Sequence, residues 1–264
     1  MTDNSDFSKK LKDIHVIVNV SARHVHLSKE DFESLFGIGK SLTKDFDLIQ
    51  PGEFAAKERL TIAGQKGSIE NVRILGPFRN KSQVEISLTD GRNLGIENLE
   101  VRISGDLDNT PSIVLIGKKG NIILENGVIA AKRHIHCSLK DAEKLNLKNG
   151  QLIWVRFEGE REGVLGGFVT RASGNSVLEL HIDTDEANAL GVKSGIYGLI
   201  ADREEYFDNE NSFQKDIVET PHLITELFLK KIKKKGMKIK LDKSCILTPM
   251  AKDFLKNNPE ILRK

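Results

Sequence analysis

The chain has 264 residues, with 40 Lys plus Arg against 38 Asp plus Glu and a formal net charge of +2 at pH 7. This near balance gives no overall electrostatic basis for binding nucleic acid, and no stretch approaches the roughly 18 apolar residues that a membrane helix needs. The first residues lack the apolar core of a secretion signal, and the two cysteines lie far apart. We therefore expect a cytoplasmic protein without disulfides, membrane or nucleic-acid partners.

A strand and a histidine motif open the ordered chain, after a leader at residues 1–13 that carries a weak apolar stripe. Residues 15–22 are rich in Val and Ile, which predicts a buried strand. The strand ends in Arg23-His24-Val25-His26, and Ser28 follows as a natural N-cap for a short helix. Because alternate side chains of a strand share a face, His24 and His26 are expected to point the same way.

Residues 48–85 consist of short apolar runs separated by glycines, with no long helix between them. This pattern favours a small β-barrel over a doubly wound sheet. Within it, Gly76-Pro77-Phe78-Arg79 forms a rigid turn a few residues before Glu85. The Arg79 guanidinium can bind phosphate through two hydrogen bonds, so we treat it as a candidate site residue.

The second half of the chain repeats the first. Residues 133–145 begin Arg-His-Ile-His, which resembles the Arg-His-Val-His that begins residues 23–35. His134 and His136 are therefore expected to form a second pair on one strand face. Cys137 then points to the opposite face, which favours a buried apolar role over a catalytic one.

The repeat also predicts a third ligand in each half. Aligning Leu94-Gly95 with Leu190-Gly191 places Glu85 on His181. Each half then supplies a histidine pair and one more metal-binding side chain, and we expect the two sets to face one another across a pseudo-twofold axis. Three nitrogen or oxygen ligands with an open fourth position are typical of catalytic zinc, although imidazole-rich sites also suit cobalt, nickel or iron.

The predicted fold is mainly β with short helices. Two related small β-barrel domains are assigned to residues 14–110 and 111–203, followed by a linker and a small α/β C-terminal extension at 204–264. In that extension we predict a helix over 224–235, a strand over 237–241 and a final helix that begins at Thr248-Pro249. Arg23 and Arg133, which precede the histidine pairs, are expected to form structural ion pairs.

Four segments together resemble the phosphate propanoyltransferase family over about residues 14–200. They read Val18-Asn19-Val20-Ser21-Ala22-Arg23-His24-Val25-His26-Leu27-Ser28, Leu75-Gly76-Pro77-Phe78-Arg79, Arg133-His134-Ile135-His136, and His181-Ile182-Asp183-Thr184-Asp185-Glu186-Ala187-Asn188. The resemblance implies two small barrels with a dinuclear zinc site between them. It also implies transfer of a short acyl group, propanoyl or acetyl, between coenzyme A and phosphate.

Carried over by position, the resemblance implies two zinc ions per chain, with Arg79 contacting phosphate. One zinc would be held by His24, His26 and Glu85, and the other by His134, His136 and His181. Acyl-CoA and phosphate are the expected partners.

The chain departs from the family at its two ends. The leader is shorter than the encapsulation helix of microcompartment members, and residues 204–264 have no assigned role. The sequence therefore leaves open an association with a bacterial microcompartment, a homo-oligomer, the preferred acyl chain, the metal used in the cell and the physiological direction. Two other functions also stay open at this stage: a dinuclear metallohydrolase, which would use water in place of phosphate, and a metal-stabilised structural or scaffold protein.

Overall fold

A computed structural model describes residues 14–201, 223–234, 238–239, 241 and 245–262. The chain divides into two compact units, residues 1–202 and residues 203–264. The predicted leader at 1–13 and the acidic part of the predicted linker lie outside the described residues. None of the helices in the described ranges has the length and apolar content needed to cross a membrane.

The first unit is built mainly from short strands. In chain order they are β1 (His15–Ser21), β2 (His24–His26), β3 (Lys44–Asp47), β4 (Phe54–Ala63), β5 (Ser68–Gly76), β6 (Gln83–Glu85), β7 (Val101–Arg102), β8 (Ile113–Ile116), β9 (Asn121–Leu124), β10 (Val128–Ala131), β11 (His134–Cys137), β12 (Leu152–Phe157), β13 (Gly163–Ala172), β14 (Glu179–Asp183) and β15 (Tyr197–Ala201). The mainly β prediction is confirmed.

These strands form one closed barrel and one curled, open sheet. The barrel has six strands in the order β1-β14-β11-β13-β12-β15. The open sheet has nine strands, in the order β7-β10-β6-β2-β5-β4-β8-β9 with β3 paired to β4. The arrangement around β6, β2, β5 and β4 repeats that around β14, β11, β13 and β12, so the internal repeat seen in the sequence is a repeat of strand order.

The two halves exchange their first strands. β1 pairs with β14 and β15 in the barrel, whereas β2, which follows it directly, lies in the open sheet. Likewise β10 pairs with β6 in the open sheet, whereas β11 lies in the barrel. Neither sheet is therefore confined to one of the predicted ranges 14–110 and 111–203. The chain crosses between sheets just before each histidine pair, which brings both pairs to the junction of the sheets.

In the described part of the first unit, four short helices follow strands, and side-chain caps begin each of them. They are α1 (Lys29–Phe36), α2 (Leu88–Leu94), α3 (Leu139–Lys144) and α4 (Thr184–Leu190). Ser28, Ser87 and Ser138 each accept a hydrogen bond from the backbone N–H three residues later, and Asp183 forms a reciprocal capping box with Glu186. The alignment of Leu94-Gly95 with Leu190-Gly191 holds structurally, because Gly95 and Gly191 end α2 and α4 at φ 74° and 66°.

Each sheet encloses its own apolar core. Val25, Leu27 and Phe32 belong to the core of the open sheet, and Ile135 and Phe168 to that of the barrel. Burying a side chain of this size contributes about 1.5–3 kcal/mol. Two independent cores hold the strand ends at the junction in fixed positions, and the histidine pairs stand on those ends.

The second unit contains β16 (Leu223–Ile224), α5 (Glu226–Lys234), β17 (Ile246–Leu247), α6 (Pro249–Asn257) and a 3-10 turn (Pro259–Ile261). β16 and β17 pair in parallel, and Thr248 caps α6 as predicted. Leu229 and Ile232 form the buried face of α5, whereas Leu227 is 76% exposed. Leu227 and Ile232 lie on different sides of α5, because five residues of a helix turn through about 500°.

Candidate metal centre

Strand register brings the predicted site residues together in the same way in both halves. In the open sheet, β2 and β6 are antiparallel and pair His24 with Glu85. In the barrel, β11 and β14 are antiparallel and pair His134 with His181. Directly opposed side chains in such a pair have Cβ atoms about 4.5–5.5 Å apart. We call His24, His26 and Glu85 the first triad, and His134, His136 and His181 the second triad.

The first triad is buried and convergent. Its three candidate ligand atoms lie within 4.8 Å of one another, and His24 Nε2 is 3.5 Å from Glu85 Oε2. His24 Nδ1 donates a hydrogen bond of 2.8 Å to the Ala22 carbonyl oxygen, so in the neutral ring Nε2 keeps its lone pair. His26 Nδ1 is buried without a hydrogen-bond partner. A buried polar atom without a partner is costly unless a ligand satisfies it.

The second triad repeats this arrangement with three imidazoles. Its candidate ligand atoms also lie within 4.8 Å of one another, and its side chains are half-buried. His134 Nδ1 is 2.9 Å from the Lys132 carbonyl oxygen, while its Nε2 lies 3.1 Å from His136 Nε2. His181 Nδ1 is 3.1 Å from Ser21 Oγ. His181 Nε2 is buried and, although Glu179 Oε2 is 3.1 Å away, it has no partner in hydrogen-bond alignment.

Three imidazoles of the site, those of His26, His134 and His136, are held in the neutral form. Burial, followed by the charge of His181, lowers the pKa of His134 to about 3 and that of His136 to about 4. Burial also lowers the pKa of His26 well below its ordinary value, with His24 and Arg79 adding to the effect. Neutral imidazole is the form that binds a metal ion, so at neutral pH these side chains are ready to coordinate one.

Glu85 is held as a carboxylate. Burial by itself would raise the pKa of Glu85, but His24, the Ser104 hydrogen bond and Arg79 outweigh it and hold the pKa below its ordinary value. Ser104 Oγ donates to Glu85 Oε1 at 2.9 Å, and Gln83 Nε2 donates to the same oxygen. These contacts fix the direction of the carboxylate.

Arg79 stands beside the first triad, as the sequence predicted. Its Nη1 donates to Ser104 Oγ at 3.1 Å, so one hydroxyl separates the guanidinium from Glu85. Its backbone N–H donates to the Leu27 carbonyl oxygen at 2.9 Å, which ties the turn to the end of β2. The Arg79 side chain is half-buried, and burial lowers its pKa from its ordinary high value. It remains a cation at neutral pH.

The two triads line one small cavity. Its walls include His24 and Glu85 from the first triad and His134 and His181 from the second, with Ser21 between them. A larger cavity of about 550 Å³ reaches the second triad at His136. His136, Glu53 and Arg171 are among its lining residues. The second triad therefore borders both a small cavity shared with the first triad and a larger cavity that carries a second arginine.

The neighbouring residues take the structural roles that the sequence analysis gave them. Arg23 donates two hydrogen bonds to Asp90, at 2.8 and 2.9 Å, and Arg133 Nε donates to Glu186 at 2.6 Å. Cys137 is fully buried on the strand face opposite the histidines. Burial raises the pKa of its thiol, so the thiol is a poor nucleophile.

Several polar residues of the site were not identified from the sequence. Gln83 and Glu179 occupy equivalent positions, because each lies opposite the second histidine of its half, His26 and His136 respectively. Strand alternation could have identified both residues, because side chains two positions apart share a strand face. Gln83 lies two residues before Glu85, and Glu179 lies two residues before His181. Ser104 and Arg171 carry no such signal, because only the fold brings them to the site.

Sequence comparisons give the family. The model of the phosphate propanoyltransferase family matches residues 17–193. The chain belongs to this family. A phosphate propanoyltransferase of Thermotoga maritima is 51% identical over 185 residues, covering 70% of this chain and 88% of the relative. One of Clostridioides difficile is 48% identical over 189 residues, covering 72% and 90%. Another, of Enterococcus faecalis, is 48% identical over 183 residues, covering 69% and 86%.

The phosphate propanoyltransferase match includes both triads and Arg79, and it ends before the second unit. The family assignment made from the four sequence motifs is thereby confirmed. Residues 203–264 lie outside the match, and nothing about their role follows from it.

Proposed function

We propose that this protein is a phosphate acyltransferase that interconverts a short-chain acyl-CoA and phosphate with acyl phosphate and CoA. The observation that carries the proposal is the paired site: two convergent triads, built in the same strand register, line one cavity with Arg79 beside it. Membership of the phosphate propanoyltransferase family supports the same reaction. Propanoyl-CoA and acetyl-CoA are the proposed acyl donors.

The triads are proposed to hold two zinc ions, one each. The donor sets fit zinc, since His and carboxylate are among its usual ligands and each triad leaves a coordination position open. The partnerless nitrogens His26 Nδ1 and His181 Nε2 support the same assignment, because each is buried and lacks any hydrogen-bond partner in the protein. When bound, zinc would supply Lewis acidity to phosphate and to the thioester carbonyl group.

In the forward reaction, a phosphate oxygen forms a bond to the thioester carbonyl carbon, and the carbon–sulfur bond then breaks. The sulfur leaves as the CoA thiolate, and the acyl group remains on phosphate. The Arg79 guanidinium is proposed to bind the phosphate and to stabilise negative charge as the new bond forms. Ser104 and the Leu27 carbonyl hold Arg79 in place through the hydrogen bonds described above.

The proposed reaction requires no nucleophile from the protein. Cys137, the cysteine nearest in sequence to the triads, is buried on the other face of β11. Binding both substrates in line within one site contributes a large part of the acceleration, because it makes a two-substrate step effectively unimolecular.

Release of free CoA thiol tests the proposal. The purified protein would be given propanoyl-CoA or acetyl-CoA, with and without phosphate, before and after chelation of metals. We expect release that requires phosphate, stops on chelation and returns when zinc is restored. Release without phosphate would indicate a hydrolase, and no release from a zinc-loaded protein that unfolds on chelation would indicate a structural role.

Location and assembly remain proposals based on the family resemblance. We propose a cytoplasmic protein that can associate with a bacterial microcompartment and form a homo-oligomer. Light scattering on the eluted protein would measure the oligomer, and co-purification with microcompartment shells would test the association.

A further inference from the structure

Glu179 is a buried carboxylate next to the second triad that the proposed reaction does not use. Its side chain is fully buried, two residues before His181 on the same face of β14 and directly opposite His136. Oε2 lies 3.1 Å from His181 Nε2. A charged group buried this completely is retained in proteins when specific partners stabilise it.

Two amide groups fix the direction and charge of this carboxylate. Asn19 Nδ2 donates to Oε1 at 2.9 Å, and Gln50 Nε2 donates to Oε2 at 2.6 Å. The Gln50 amide cannot be reversed without loss, because it also donates to the Val177 carbonyl oxygen at 3.0 Å and accepts from the Val177 N–H at 3.2 Å. Both oxygens of Glu179 therefore act as acceptors, which is the role of the ionised form.

Comparison with the first triad indicates a role for the Glu179 charge. The equivalent position there is Gln83, a neutral amide that donates to Glu85. The first triad contains a carboxylate among its candidate ligands, whereas the second triad consists of three imidazoles and no carboxylate. With Glu179 included, each half supplies one negative charge against the two positive charges of the ion it is proposed to hold.

We propose that Glu179 supplies the negative charge that stabilises the second metal ion, from a carboxylate oxygen beside the His181 nitrogen that would bind it. The inference rests on the proposed metal centre. Residues that contact metal ligands belong to the metal site, and their loss typically weakens metal binding about 10–100-fold. Glu179→Gln is the informative substitution, because glutamine removes the charge and keeps the size of the side chain.

The test is metal affinity, measured independently of catalysis. Wild-type protein and Glu179→Gln would be stripped, reloaded with zinc and titrated against a chromophoric chelator, with total zinc counted by mass spectrometry. We expect two zinc ions per wild-type chain. In Glu179→Gln we expect the first-triad ion at unchanged affinity and the second weakened about 10–100-fold. His134→Ala would identify the second ion, since it removes a ligand of that triad directly.

Glu179→Asp covers the case in which Glu179→Gln does not fold. It keeps the charge but withdraws the carboxylate by one methylene group, so we expect weakening of the second ion alone, by less than in Glu179→Gln. Cobalt(II) in the second triad should also show altered visible absorption in both variants, because the geometry around His181 changes. Unchanged affinity for the second ion, or equal weakening of both ions, would overturn the assignment. A wild-type chain that binds no zinc would instead overturn the proposed metal centre itself.

Discussion

The two triads share a scaffold but distribute their charge differently. In each, an H-x-H strand pairs antiparallel with a second strand whose residue opposite the first histidine completes the set, Glu85 in one half and His181 in the other. The carboxylate is a candidate ligand in the first triad and, as Glu179, lies beside a candidate ligand in the second. The repeat therefore preserves the backbone register and one buried carboxylate in each half, while the identity of the third candidate ligand varies.

The first prediction breaks one triad at a time. His24→Ala and His134→Ala should each lower the zinc content by one ion per chain and reduce turnover by more than about 100-fold, because the two proposed ions would act in one site. Zinc counting and the thiol-release assay measure the two effects. If either variant kept wild-type turnover, the triad concerned would have no part in the reaction.

Arg79 belongs to the first triad's side of the site, so its removal tests whether phosphate is bound there. Arg79→Ala should lower turnover about 10²–10³-fold, as loss of a charge-stabilising donor does elsewhere, with little change in zinc content. Arg102→Ala is the matched control, because Arg102 pairs with Glu100 and Asp106 away from the triads. Thermal unfolding would show that both variants are folded, and equal turnover in the two would remove Arg79 from the mechanism.

Arg23 and Arg133, the structural arginines of the two halves, extend the comparison from turnover to stability. Arg133→Ala should lower the free energy of unfolding by about 1.5–3 kcal/mol, because charge-assisted hydrogen bonds to Glu186 and to the Gly166 carbonyl are lost. Arg23→Ala should cost less, since the Arg23 side chain is 41% exposed against 28% for Arg133. Urea denaturation measures both. A larger loss for Arg23→Ala would contradict the ranking.

The smallest effect is expected at Cys137. Because burial raises the pKa of its thiol, Cys137 should not react with a thiol reagent at neutral pH while the protein is folded. Cys137→Ala should keep turnover within about twofold of wild type, since the side chain lies on the face away from the second triad. Labelling followed by peptide mass spectrometry, alongside the activity assay, checks both statements, and labelled Cys137 in native protein would disprove the first.

Much of this arrangement was predictable from the sequence because it depends on local rules. Strand alternation placed His24 with His26 and His134 with His136, and a short repeat selected Glu85 and His181. Ser28 marked the helix that follows it through its capping side chain.

The remaining features depend on contacts between distant parts of the chain. The exchange of β1 and β10 between the sheets could not be predicted from any local pattern, because the sequence of a strand does not specify which strand it pairs with. For the same reason Gln50 was not connected to Glu179, which lies 129 residues away and is reached only in the fold. Helices α2 and α4 were also missed, although Ser87 and Asp183 carried capping signals at their starts.

Product analysis tests the central claim most directly. Zinc-loaded protein would be incubated with propanoyl-CoA and phosphate, free CoA would be measured as thiol, and acyl phosphate would be trapped with hydroxylamine as the hydroxamate. The account predicts equal amounts of CoA and acyl phosphate, both absent without phosphate or after chelation. CoA accompanied by free propanoate in place of acyl phosphate would contradict it.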